Sequence, residues 1–257
     1  MDGRCRCTDN GDRQSNAILY NILSQADNNM SAYSTLNYSG TPHRCNCQVT
    51  RRVCLKSPAD ICQEASAVLV KTIQFMKNLP AFKQLPVSDQ LSLLRSCWAP
   101  LFILGLAQEG VNFEVIDAPA DSMLKRILLK SQKSSEPDRQ QPSLFAVNKL
   151  KSCLKKFWSL DLSPKEYACL KGTMIFNPDV QDLKASLFVE SLQQEAQQAL
   201  REVVQPLHSG DRGRFARILL TASTLNTITP GLITELLFRP VIGQADLLDF
   251  LVDMLFS

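Results

Sequence analysis

Between Cys97 and Ala107 the chain reads CWAPLFILGLA, apolar on every side of a helix. A helix without a polar face cannot rest on a protein surface, so it has to lie buried between other layers. The block is too short to span a bilayer, which takes about 20 apolar residues, and no transmembrane helix or signal peptide is expected. Pro100 within it should kink the helix or mark a boundary.

The flanking sequence supplies helices to cover this block. Ser57-Pro58-Ala59-Asp60 offers an N-cap, a proline at the first helical position and an early acid. Apolar residues then recur at Ile61, Ala65, Val68, Leu69, Thr72 (semi-apolar), Phe75, Met76 and Leu79, a face of gaps of three and four that ends at Pro80. Ser88 is read as the cap of the helix that carries the apolar block. Val111–Ile116 alternates like a short strand. Met123–Leu129 reads as a short amphipathic helix and Ser131–Pro142 as a polar loop. Helices follow from Ser143 to about Trp158, from the capping box Ser163-Pro164-Lys165-Glu166 to just before Asn177-Pro178, and from Asp182 to Val204, ending before Pro206. Further ones run from Gly213 to about Ile228, from Thr229-Pro230 to Phe238 and over Asp246–Phe256. The pattern is all-α with one small β element.

Residues 1–57 differ in character. They carry 7 Lys+Arg against 4 Asp+Glu, whereas the rest of the chain carries 21 of each. A neutral body argues against a broad nucleic-acid face. Six of nine cysteines (Cys5, Cys7, Cys45, Cys47, Cys54 and Cys62) fall early. Their odd total and C-x-C spacing fit reduced thiols of the cytosol or nucleus better than a zinc site. Residues 1–57 are expected to be a mostly flexible segment with a short helix near 16–25, and residues 58–257 a domain.

Catalytic machinery is not evident. The histidines, His43 and His208, fall in expected loops, and no H-E-x-x-H, G-x-S-x-G or phosphate-cradling glycine loop occurs. Cys97 and Cys169 have no histidine close in sequence to activate them. No cofactor is expected, and the chain reads as a binding protein.

Three stretches then coincide with one family. Phe75–Trp98 (FMKNLPAFKQLPVSDQLSLLRSCW) closely resembles the signature of nuclear-receptor ligand-binding domains. Leu160–Asp179 and Arg214–Gly243 are similar to later helices of the same family, in the same order. The resemblance covers about residues 58–257. It implies a three-layer antiparallel helical sandwich with a small β element. The family's zinc-bound DNA-binding module is not matched by residues 1–57, and Trp98-Ala99-Pro100 replaces the commoner Trp-x-Glu. Both departures fit an atypical branch. The resemblance then implies a nuclear repressor, also present in the cytoplasm, that binds other nuclear receptors and corepressor proteins without sequence-specific DNA binding. A second reading is a ligand-sensing receptor whose apolar pocket takes a lipophilic molecule.

Leu19, Ile22 and Leu23 stand at i, i+3 and i+4, the face a helix needs to fill an apolar groove. Leu124, Ile127 and Leu128 repeat that spacing. By resemblance both are variants of the L-x-x-L-L helices that nuclear receptors accept, with docking on this chain's own core as the alternative. Lys77 and Arg95 match the positive residues of the family's groove. Asp253, in Phe250-Leu251-Val252-Asp253-Met254-Leu255, matches the acid of its last helix, where Glu is usual. A carboxylate there caps the N-terminal amides of a docked helix. The plainer readings are solvated charges and simple packing.

Overall fold

The computed structural model describes residues 51–119 and 142–257. Two short strands, β1 (Arg51–Leu55) and β2 (Val115–Pro119), pair antiparallel with Val53 opposite Asp117 and Leu55 opposite Val115. The strand expected at Val111–Ile116 therefore starts later. Val111 and Phe113 are buried without joining the ladder. Their alternation reflects one-sided burial of an extended loop.

Helix α1 (Pro58–Asn78) buries Cys62, Ala65, Val68, Leu69, Thr72, Ile73 and Met76, the stripe read from the sequence shifted slightly around the axis. Ser57 is at the N-cap position, yet its side chain makes no capping bond. Pro80 ends the helix and opens a single turn, α2 (Pro80–Lys83). Helix α3 (Val87–Gln108) begins before Ser88, so Ser88 is not its cap. It also runs unbroken through Pro100. The proline removes the hydrogen bond to the Ser96 carbonyl, and Ser96 is exposed, so water can take over.

The apolar block is buried as expected. Trp98 is 3% exposed, and Phe102, Ile103 and Leu104 are fully buried. By length and composition α3 could cross a membrane, but 67% of its most apolar window is buried against protein. It is the core helix of a sandwich. It packs on α1, on α4 (Leu144–Leu160) and on α5 (Pro164–Ile175). Helix α5 is covered in turn by α6 (Ser186–Leu207), and α1 by α10 (Leu247–Phe256). The result is the helical sandwich expected. Gly105 permits the closest approach in it, since a Cβ there would lie 2.8 Å from Val68 Cγ1 on α1.

The remaining helices complete the layers. The capping box at Ser163 and Glu166 is formed in both directions. Helix α6 continues past Val204 through Pro206; Glu202, whose carbonyl loses a partner there, is exposed. The helix expected from Gly213 is α7 (Arg214–Ser223) followed by a 3-10 turn, Thr224–Thr227. Thr229 caps α8 (Pro230–Ile233). A π-helical turn (Thr234–Phe238) then leads into α9 (Arg239–Ile242). It buries three successive side chains, Leu236, Leu237 and Phe238, the last against Phe102 with ring centres 5.3 Å apart.

Candidate functional site

The final turn of α1, the middle of α3 and the last helix α10 carry the three charges singled out in the sequence. Lys77 is half-buried in the last turn of α1, where a cation also complements the helix dipole. Arg95 is exposed on α3. Asp253 is exposed on α10, which turns Leu247, Leu251 and Leu255 inward. Both α3 and α10 pack on α1, so the three helices are neighbours. None of the three side chains forms an ion pair or hydrogen bond among the described residues. Phe250 and Phe256 are exposed on α10, and Val87 at the start of α3. Apolar surface and unspent charge thus share one set of helices.

The supports of this surface were not legible in the sequence. Asp89 stands in the first turn of α3, where an acid ordinarily complements the helix dipole. It is completely buried, and its carboxylate accepts the backbone N–H of Ala185 at 2.8 Å and of Lys184 at 3.2 Å. The Ser88 hydroxyl donates to it at 3.0 Å. Burial pushes the Asp89 carboxyl up, but the Ala185 and Lys184 amides, with Ser88, outweigh it and hold the group below its usual range. This contact ties the start of α3, which carries Arg95, to the segment leading into α6. No local signal announces it, because the partners are 95 and 96 residues away.

Arg239 is a second support. Its guanidinium donates to Glu235 at 2.6 Å and to the carbonyls of Gly243 and Ala245 just ahead of α10. Gly243 has φ 59°, a left-handed conformation that glycine adopts without strain, and it turns the chain back. Asp246 then caps α10 through the Leu248 amide.

A third, fully buried polar cluster lies elsewhere. Arg214 donates to both carboxylate oxygens of Glu166, at 2.7 and 3.0 Å, and to the carbonyls of Leu160 and Asp161. Burial raises the Glu166 carboxyl, yet Arg214, followed by the Ser163 amide and hydroxyl, holds it below its usual range. The group is a fastener of α4, α5 and α7, held by four hydrogen bonds from one guanidinium. Burial also pushes the Cys97 and Cys169 thiols up, which leaves them poor nucleophiles.

Leu19, Ile22, Leu23, Leu124, Ile127 and Leu128 lie outside the described residues, as do the helices expected to carry them. What the described surface offers is unpaired charge and exposed apolar side chains on adjoining helices that the resemblance assigned to a receptor groove. The family profile of the ligand-binding domain of nuclear hormone receptor matches residues 56–239.

The chain belongs to the nuclear hormone receptor family.

Over 259 residues it is 50% identical to nuclear receptor subfamily 0 group B member 2 of Homo sapiens, an alignment covering 98% of this chain and 96% of the relative. The Rattus norvegicus protein of the same name is 48% identical over 260 residues, covering 99% and 97%. Nuclear receptor subfamily 0 group B member 1 of Sus scrofa is 38% identical over 270 residues, covering 98% of this chain and 57% of the longer relative. Lys77 and Arg95 fall inside the matched receptor profile, and α10 with Asp253 follows it. The kinship favours a repressing nuclear receptor over the ligand-sensing reading.

Proposed function

We propose that this nuclear receptor represses transcription by entering the coactivator groove of partner nuclear receptors with its own leucine helices. The observation that carries the proposal is the spacing of Leu19, Ile22 and Leu23, repeated at Leu124, Ile127 and Leu128, in a chain of the receptor family. Each buried Leu or Ile side chain contributes about 1.5–3 kcal/mol. Three of them, less the cost of ordering a short helix, support roughly micromolar affinity. The partner loses coactivator access while the complex lasts.

The surface formed by α1, α3 and α10 has a separate task. Lys77 and Arg95 face the C-terminal carbonyls of a docked helix, and Asp253 its N-terminal amides. Aspartate reaches one methylene less far than glutamate, so this surface favours corepressor helices over ordinary coactivators. The protein acts in the nucleus, without catalysis and without reading DNA sequence itself.

The test is displacement of a labelled coactivator peptide from an agonist-loaded partner receptor domain. Changing Ile22→Ala and Leu23→Ala together is expected to remove most displacement and leave the thermal melt unchanged. Undiminished displacement would move the contact elsewhere. A collapsed melt would assign residues 19–23 to this protein's own core.

A further inference from the structure

Away from the receptor groove, the end of α6, the following loop and the start of α7 enclose a half-open cleft of about 500 Å3. That lies within the usual range of ligand sites, about 300–1,000 Å3. Its walls include Arg201, Gln205, His208, Ser209, Arg212 and Phe215. The Arg201 guanidinium lies over the Phe215 ring, 4.9 Å from its centre. That stacking fixes the fork in place without using its hydrogen-bond donors.

The charge balance of the cleft is uneven. Arg214, Arg217 and Arg239 are each paired with a carboxylate, from Glu166, Asp211 and Glu235 respectively. Arg201 and Arg212 have no carboxylate partner among the described residues. The one acid in the wall, Asp211, is already engaged, with Arg217 on one oxygen and the Gly213 amide on the other. Glu166, 4.0 Å from His208 Nε2, is saturated by Arg214 and Ser163. Arg201, Arg212, His208, Ser209 and Gln205 therefore line a cleft whose one lining acid, Asp211, is already engaged.

We infer that this cleft binds a phosphate monoester. Guanidinium groups recognise oxyanions in a planar, bidentate manner. A carboxylate offers two oxygens and one charge. A phosphate monoester offers three oxygens and a charge of about −1.5 to −2, which suits two unpaired arginines better. The same chemistry arrives either as a small phosphate ester or as a phosphorylated side chain of a partner protein.

The experiment uses the untagged full chain. It has two histidines, His43 and His208, so a His43→Asn variant leaves a single imidazole NMR signal, inside the cleft. O-phosphoserine and a short phosphoserine peptide are titrated in parallel, with the unphosphorylated peptide as control. Both phosphate probes should move the His208 signal saturably, and the control should not. Arg201→Gln and Arg212→Gln should each weaken binding about tenfold or more. The Arg→Lys variants, which keep the charge but lose the fork, should fall between, and they serve if a Gln variant melts early. A peptide bound more tightly than the free amino acid supports the partner-protein source; equal affinity supports the small ester. No saturable shift in the millimolar range, or a shift that survives both arginine substitutions, overturns the inference.

Discussion

The Glu166–Arg214 cluster and the Lys77, Arg95 and Asp253 surface are both built from opposite charges, and they differ in what those charges touch. In the first, the two charges are spent on each other and on nearby backbone inside the protein, at 0% and 8% side-chain exposure. In the second, three charges on neighbouring helices meet no partner among the described residues. A buried pair stabilises one arrangement of helices and is very costly to break from one side. An exposed, unpaired set contributes little to folding and stays available to a partner. The difference separates charges that hold the fold together from charges that the proposed function assigns to partner binding.

Breaking the buried cluster should give the largest effect. Arg214→Ala is expected to cost about 3–5 kcal/mol in chemical denaturation, because Glu166 is left charged and buried. A double change, Glu166→Gln with Arg214→Met, should cost less than the sum of the single changes. If the two add simply, the cluster is not the coupled unit described.

Acid should find the same weak points. Glu166 and Asp89 both titrate below their ordinary values, so the folded state binds these protons less readily than the unfolded chain does. Their stabilisation is complete above the ordinary carboxylate range, about pH 4–4.5, and disappears as pH falls through the depressed folded values. A melting temperature followed from neutral pH downward should drop in that window, and Asp89→Asn should flatten the drop. A curve of unchanged steepness in Asp89→Asn would remove Asp89 from the account.

The exposed surface should respond in binding and not in stability. Lys77→Ala and Arg95→Ala are each expected to weaken capture of a leucine-bearing helical peptide about two- to fivefold, less at high salt, with no change in melt. Asp253→Glu should strengthen coactivator-type peptides by restoring the missing reach. Fluorescence anisotropy reads both, and equal binding by all variants would leave these charges as ordinary surface. Smallest of all is the exposed bridge of Lys56 to Glu114: Glu114→Gln should leave the denaturation midpoint where it was.

Patterns carried by near neighbours were readable in the sequence, and patterns carried by distant ones were not. The α1 stripe, the Ser163 capping box and burial of the Cys97–Ala107 block each depend on residues within a turn or two. Lys77, Arg95 and Asp253 were found by likeness to receptors, and their helices do adjoin. Asp89 and Arg214 escaped notice because the partners that explain them lie far along the chain, and Arg239 because two of its three nearby partners are backbone carbonyls, which no side-chain pattern marks. Pro100 and Pro206 misled for a related reason: each leaves a carbonyl without a partner, but on residues that face water.

The π-helical turn Thr234–Phe238 has a consequence for how this chain tolerates insertion and deletion. Such a turn holds one residue more than the α-helix it interrupts. Because the wider turn takes up that residue, the helix on either side of it keeps its phase, whereas one residue added to an unbroken α-helix would turn everything after it by about 100°. Removing a single residue there would let an ordinary α-turn form and leave Arg239 facing the Gly243 and Ala245 carbonyls. The spare residue works as slack in the chain: a one-residue deletion is better tolerated here than elsewhere on the approach to α10.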